Sequence, residues 1–309
     1  MLDALFYNVK SFLRPVTQHR KLLERAKYTD TKILSPQEGN DLLACLVHRP
    51  AAIGKIGRSE LVALRHYLRR ADSSGHCESW GGHATLLYRN AGVYPPEPAI
   101  FSRFCKTFLE TLARLDVLAV YFNWKENDVR RRFAPKATVT APRALEPYYH
   151  DRAWSQRLAG KRVLVVSPFA DSIRNQYLRR RDVWPTKPDL LPDFELQTLR
   201  VPLFACLNVA EYPDWFTALN AMRQQMASIP SDVVIVGAGA WSIPLVVHAK
   251  SLGAWAVHLG GATQILFGVK GRAWEKHKQI SSFFNEAWTR PSARETPQGI
   301  QKIEDGRYW

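Results

Sequence analysis

The feature that most constrains this chain is a regular alternation of short apolar runs and helix-length segments between Lys161 and Leu259. Arg162–Val166, Phe194–Val201, Asp232–Val236 and Ala254–Leu259 read as strands; Asp171–Arg181, Trp215–Ile229 and Ile243–Leu252 read as helices between them. Strands that are apolar on both faces must be covered on both faces, and a crossover helix between two of them makes the pair parallel. The expectation is an α/β fold, a doubly wound and mostly parallel sheet with helices on both faces.

The first half is less regular. A helix is expected over Gly39–His48, a strand over Ala51–Ile56, a helix over Ser59–Arg70, then a loop-rich stretch holding Gly75, Gly81 and Gly82. A helix over Ala99–Leu115, strands over Val117–Tyr121 and Thr138–Ala141, and a short helix Trp154–Ala159 ending at Gly160 follow. At 309 residues the chain is long enough for one large α/β domain, here residues 31–280. Residues 1–30 read as an amphipathic helical extension, with Leu2, Leu5, Phe6, Val9, Phe12 and Leu13 at helical spacing among basic residues. Residues 281–309 read as a tail that docks through Tyr308 and Trp309.

Two uncharged stretches, Val233–Ala249 and Ser251–Val269, approach the roughly 20 residues of a membrane span. Their internal glycines and Pro244 divide each into strand, turn and helix, which suits the centre of a parallel sheet better. Cys45, Cys77, Cys105 and Cys206 make no metal-type spacing. Scattered cysteines and no signal-peptide pattern lead to the expectation of a cytoplasmic protein. The formal charge of +15 calls for an anionic partner without naming it. No zinc-finger, RRM or KH signature accompanies it, so no specific nucleic acid is expected. GxSxG, HExxH and Walker A patterns are absent, which argues against serine hydrolases, zinc hydrolases and P-loop enzymes.

Ligands of open parallel sheets bind beyond the carboxyl ends of the strands, so candidate residues are sought there. In VVIVGAGAWS, Gly237 and Gly239 make a strand–helix turn of Rossmann-like kind, and Ser242 stands where a dinucleotide fingerprint has its third glycine. In HLGGATQ, Gly260 and Gly261 make a second such turn, with Thr263 and Gln264 able to hydrogen-bond a base or sugar. In KIGRSE, Gly57, Arg58 and Glu60 open a helix; Glu60 could act as a base, bind a metal or hold a ribose, but on the residues alone it reads first as a complement to the helix dipole. In VSPFADSIRNQ, Ser167, Ser172, Arg174 and Gln176 surround a helix start and are candidate phosphate ligands or caps. Glu146, ahead of Pro147, Tyr148, Tyr149 and His150, fits a sugar site or an ordinary loop.

KIGRSE and GAGAWSIPLVVHAKSLGAWAVHLGGATQILFG together resemble the GT-D-type bacterial glycosyltransferases of surface polysaccharide assembly, over about Ala51 to Trp274. The resemblance implies transfer of a sugar from a nucleotide-diphosphate donor to a glycan or lipid-linked acceptor. Gly57 and Glu60 match the family's first motif, and Arg58 stands where the family has Asp. That family's Asp-x-Glu pair is associated with the nucleotide sugar and its metal. A manganese or magnesium ion is therefore implied with Glu60 as its ligand, or Arg58 replaces it by neutralising the diphosphate. Glu60 and Glu146 are the candidate catalytic bases; Gly57, Arg58, Ser167, Ser172, Arg174, Gln176, Gly237, Gly239, Ser242, Gly260, Gly261, Thr263 and Gln264 are the candidate substrate-binding residues. Two other readings stay open, a dehydrogenase and a basic nucleic-acid binder. A weak contact of Leu2–Leu13 with the anionic inner face of a membrane is a further expectation.

Overall fold

The computed structural model describes residues 18–202, 206–207 and 210–309. Its eight strands form one sheet: β1 (Ile33–Leu34), β2 (Ala51–Lys55), β3 (Val117–Ala119), β4 (Thr138–Thr140), β5 (Arg162–Val166), β6 (Glu195–Leu199), β7 (Val233–Val236) and β8 (Trp255–His258). They lie in the order β1-β4-β3-β2-β8-β7-β5-β6, and every pairing is parallel. From β2 the chain builds outward through β3 and β4. It then crosses to β5 and β6 and returns inward through β7 and β8. The last strand thus closes against the second, with Ala51, Ala52 and Ile53 opposite Trp255, Ala256 and Val257.

The α/β, doubly wound architecture expected from the alternation is present, and the sheet is parallel throughout. One face carries the helices Arg58–Arg70, Pro98–Leu112, Trp215–Ala227 and Ser242–Ser251, packed on Ala52, Leu118, Leu164, Val166, Val234 and Ala256. The other carries Pro36–Leu46, Ala170–Leu178 and Ala262–Leu266, packed on Ile53, Val163, Val165, Ile235 and Val257. Successive residues of each strand supply opposite cores, as a period of two requires.

The helix starts have local causes. Ser35 caps Pro36–Leu46 in a capping box: its hydroxyl accepts from the Glu38 N–H at 3.2 Å, and the Glu38 carboxylate accepts from the Ser35 N–H at 2.8 Å. The Asp214 carboxylate accepts from the N–H groups of Phe216 and Thr217. The helix expected over Asp171–Arg181 is broken at Arg179 into Ala170–Leu178 and Arg180–Val183. The break carries Arg180 onto Asp193 and over the Tyr177 ring. A helix at Glu126–Phe133 was not expected, because ENDVRRRF carries almost no apolar stripe. It is held instead by polar contacts, including the Arg130 guanidinium on the Asp30 carboxylate at 2.6 and 2.7 Å.

Val233–Ala249 resolves into β7, a 3-10 turn at Gly239–Trp241 and a helix, and Ser251–Val269 into β8 and the helix Ala262–Leu266. Among the described residues no helix is long and apolar enough to cross a membrane. The expected contact segment Leu2–Leu13 lies outside the described residues; residues 18–26 are helical.

Gly39 shows how tightly one helix meets the sheet. A Cβ there would lie 2.0 Å from Thr140 Oγ1 and 2.5 Å from the Ala144 Cβ. Helix propensity favours alanine over glycine by about 1 kcal/mol, whereas overpacking costs about 1–3 kcal/mol. Gly39→Ala is therefore expected to lower the midpoint of chemical denaturation. Gly82→Ala, where an added Cβ meets nothing within 4 Å, is expected to leave it unchanged or raise it. Equal effects of the two substitutions would contradict the close approach.

Candidate functional site

The carboxyl ends of β2, β3, β7 and β8 come together at the centre of the sheet. Lys55 ends β2, and its side chain is 7% exposed. Its ammonium lies 5.8 Å from the centre of the Tyr121 ring, just beyond β3. Burial works against the charge, but Tyr121 and the Glu146 carboxylate outweigh it and hold the Lys55 pKa above its ordinary value. The cation is thus fixed in a dry setting.

His258 ends β8, and its Nδ1 lies 3.1 Å from the Lys55 carbonyl oxygen. Burial first, and then the Lys55 charge, push its pKa down to about 3. The ring is therefore neutral at physiological pH; Nδ1–H donates to the carbonyl, and Nε2 is left as an acceptor. Gly260 follows with φ of +59°. A Cβ there would lie 3.4 Å from His258 Nε2 and 3.7 Å from Lys55 Nζ. A neutral acceptor and a cation thus flank one glycine.

Glu60 sits in the first turn of the helix Arg58–Arg70 and folds back over Gly57, where a Cβ would lie 2.1 Å from its Oε2. Glycine leaves room at 57 for this carboxyl, and its φ is ordinary. Glu60 is buried, and burial, with Glu304 adding repulsion, raises its pKa to about 7. Among the described residues no cation forms an ion pair with it; Arg58 is exposed beside it. The carboxyl is therefore poised between acid and base near neutral pH.

The two glycine turns meet. A Cβ on Gly237 would strike Thr263 Oγ1 at 2.5 Å and the Gly260 carbonyl oxygen at 2.8 Å. Gly237 is required by this contact between turns, and Gly239 by its φ of +53°. Ser242 is buried, and its hydroxyl accepts the Ala238 N–H at 3.0 Å. It lies inside its helix, with a 3-10 turn ahead of it, rather than at the cap. Thr263 and Gln264 are buried, and Thr263 Oγ1 and Gln264 Oε1 have no hydrogen-bond partner. Orphaned buried oxygens are costly in a folded protein, so this pair marks a place with unused binding capacity.

The C-terminal tail crosses here. Gln264 Nε2 donates to the Tyr308 carbonyl at 2.8 Å, and the Trp309 indole N–H donates to the Glu295 carbonyl at 2.7 Å. Trp274 and the Tyr308 ring cover Gly261 closely enough that a Cβ would meet them at 2.8 and 3.1 Å. Burial, then the charge of Glu304, hold the Tyr308 hydroxyl well above its usual pKa.

The other sequence candidates are placed differently. The Asp171 N–H donates to the Glu295 carboxylate at 2.8 Å, and the Ser172 N–H and hydroxyl also donate to it. The helix start at Ala170 thus already holds an anion from the protein itself. The Ser167 hydroxyl accepts from the Phe169 N–H, Arg174 donates to Asp171 and Thr198, and Gln176 donates to the carbonyls of Gly268 and Ala287. These four residues hold the fold on the β5 side. Glu146 is half-buried; burial raises its pKa, opposed by Lys55, Arg143 and His277. Its neighbours Tyr148 and His150 are buried, Tyr148 stacked on Trp184 and His150 hydrogen-bonded to the Arg143 carbonyl.

The structure therefore gathers Gly57, Glu60, Gly237, Gly260, Gly261, Thr263 and Gln264, with Glu146 reaching the same charge through Lys55. Sequence reasoning missed Lys55, Tyr121, His258, Glu304 and Tyr308. A usable signal existed for two of them: AAIGK and WAVH each end an apolar strand on a titratable residue. A depression of about 390 Å³ lies at the opposite, amino ends of β3 and β4, beside Arg114, Lys136 and Lys250. Open parallel sheets place their ligands at the other end, where the orphaned oxygens are.

Among the described residues no three His, Cys, Asp or Glu side chains converge on one point, so a divalent ion here would have the Glu60 carboxylate as its ligand, with the Arg58 guanidinium beside it.

The raised Glu60 pKa makes a stability prediction. An unfolded glutamate loses its proton near pH 4.5, and the folded one near 7. Between those values the folded state binds the extra proton, so its stability falls as pH rises through the window. Glu60→Gln removes that loss. Relative to the parent it is expected to gain stability from pH 5 to pH 8, by on the order of 3 kcal/mol at full ionisation. Urea denaturation at the two pH values measures this; a pH-independent difference would refute it.

No family model matches the chain, and no curated protein matches it. It is similar to a solved structure described as "The highly conserved domain of unknown function 1792 has a distinct glycosyltransferase fold", at 12% identity and a TM-score of 0.45, over 89% of this chain and 96% of that one. A selenomethionine-substituted structure of domain of unknown function 1792 is similar at 12% identity and a TM-score of 0.43, over 90% and 96%.

Proposed function

We propose that this protein is a glycosyltransferase that moves a sugar from a nucleotide-diphosphate donor to a glycan or lipid-linked acceptor. One observation carries the reading. The buried Lys55 ammonium, held by Tyr121 and the Glu146 carboxylate, borders the Gly260 turn against which Thr263 packs. Thr263 and Gln264 each keep a buried oxygen without a partner, and the buried Glu60 carboxyl, raised to about 7, acts on Tyr308 where the tail crosses that turn. That set suits an anionic leaving group, a polar sugar or base, and a hydroxyl to be deprotonated. The KIGRSE and GAGAWS…GGATQ segments that resemble the GT-D type frame the same place.

In this reading the Lys55 ammonium faces the donor diphosphate and stabilises the charge that grows on it as the glycosidic bond breaks. Arg58, exposed at the helix start, adds a second cation. Thr263 and Gln264 bind the sugar or base. Glu60 takes the proton of the acceptor hydroxyl; Glu146 fixes the charge of Lys55 and is the alternative base. The charge on the diphosphate is met by Lys55 and Arg58, without a step assigned to manganese or magnesium. The setting is cytoplasmic, where nucleotide sugars are available.

A dehydrogenase is less well supported. Ser242 fills the third glycine position and engages the Ala238 N–H. No acidic residue stands near 257–258 to hold a ribose.

Isothermal titration with UDP- and GDP-sugars, with and without manganese, tests the proposal. Lys55→Ala is expected to weaken donor binding by about tenfold or more, the loss of one charge-assisted bond of about 1.5–3 kcal/mol. Glu60→Gln is expected to bind donor nearly as the parent does and to turn over at least about a hundredfold more slowly. Binding of NAD but of no nucleotide sugar, or full turnover by Glu60→Gln and Glu146→Gln alike, would overturn it.

A further inference from the structure

Five large apolar side chains are exposed among the described residues, and three of them, Leu22, Leu23 and Trp124, lie on two adjoining segments. Leu22 and Leu23 are 65% and 54% exposed on the helix of residues 18–26, and Trp124 is 39% exposed in the loop after β3. The two segments are tied together. The Glu24 carboxylate accepts the Lys125 N–H at 3.1 Å, Arg20 lies 4.5 Å over the Trp124 ring, and Lys27 lies 5.0 Å over it. Glu24 is the one buried side chain of that helix, with Arg20 and Arg25 resting on Trp124 and Phe122, and the helix presents its leucines outward.

The charge around them is one-sided. Arg20, Lys21, Arg25 and Lys27 are exposed on the segment itself, and Arg65 and Arg69 adjoin from the helix Arg58–Arg70. The Arg65 pKa is depressed by burial and then by repulsion from Arg20 and Arg69, with Glu24 and Asp128 opposing, which places these groups together. Among the described residues Lys27 is the one cation of the six with an ion pair, to Glu24. Glu24 faces inward, so the exposed acid beside these cations is Asp128, one against five exposed or half-exposed cations without an ion pair.

We infer that this face docks on an anionic lipid surface. Two adjacent leucines and a tryptophan, flanked by cations of which only Lys27 has an ion pair among the described residues, match the layering of such a surface. The apolar side chains enter the acyl boundary, the indole sits at headgroup level, and the ammonium and guanidinium groups meet the phosphates. A protein partner would need a shaped complement, and this surface is an exposed helix rather than a groove. The placement also suits the proposed reaction. Trp124 stands three residues beyond Tyr121, which borders Lys55, so docking brings the crevice to the lipid surface. The inference borrows from the proposed function only this choice of a lipid-linked acceptor, and its test uses no sugar.

The full-length protein is sedimented with phosphatidylcholine vesicles, with and without phosphatidylserine, at low and high salt. Binding is expected with phosphatidylserine at low salt and to fall at least about tenfold at high salt. Leu22→Ser with Leu23→Ser, and Lys21→Glu with Arg69→Glu, are each expected to weaken binding about tenfold, while these exposed positions leave the thermal midpoint unchanged. Trp124→Phe is expected to diminish the blue shift of tryptophan emission that vesicles produce. A variant lacking residues 1–17 is expected to retain binding that still depends on Leu22 and Leu23. Parent protein that stays in the supernatant with anionic vesicles at low salt overturns the inference. So does binding that survives both double substitutions but is lost with residues 1–17. A protein that binds vesicles but no nucleotide sugar would keep this inference and remove the proposed reaction.

Discussion

The pairing of β2 with β8 is the constraint on which the rest depends. It joins segments some 200 residues apart in sequence through the register of Ala51–Ile53 on Trp255–Val257. Both strands are buried from end to end, so their neighbours on either side must be parallel strands, and both faces must be covered. A slip of one residue would exchange the two cores, because alternate side chains feed opposite faces. The same pairing sets Lys55 beside His258 and Gly260, which no local motif could do.

Charge then decides what the carboxyl ends can do. A lysine taken out of water is disfavoured unless a counter-charge or a polar partner offsets the loss. Tyr121 and Glu146 supply that support to Lys55. His258, a residue of ordinarily higher pKa than a carboxyl, stays neutral because burial and the Lys55 charge act in the same direction. Glu60 stands apart from any ion pair and is pushed toward the protonated form. The crevice thus keeps one fixed cation, one neutral acceptor and one carboxyl able to change state. These are distinct functions set by environment rather than by residue type.

The fold was legible where periodicity was strong. From Lys161 to Leu259 the strands fall within one or two residues of their expected positions, since each apolar run is bounded by a turn. Glu126–Phe133 was not legible because Glu126 and Arg130 stabilise it through polar contacts. The two-residue β1 is too short to carry a pattern. At the site, the glycine turns were visible, but their use was not. Gly237 and Gly261 are glycines because Thr263, Trp274 and Tyr308 press on them. That pressure comes from residues 13 to 47 positions away, which spacing alone does not report. Lys55 was passed over because a lysine at a strand end normally reads as a solvated terminus.

Glu295 shows how the protein distributes its anion sites. The helix at Ala170 begins with free N–H groups, a natural seat for a phosphate, and the tail fills it with the Glu295 carboxylate. The same tail leaves Thr263 Oγ1 and Gln264 Oε1 without partners while using the Gln264 amide N–H for the Tyr308 carbonyl. The tail therefore satisfies donors at one end of the crevice and leaves buried oxygens without partners at the other. Open acceptors beside a buried cation favour a ligand that brings both hydroxyl or amide donors and a negative charge. A sugar joined to a diphosphate, the donor proposed above, has both features.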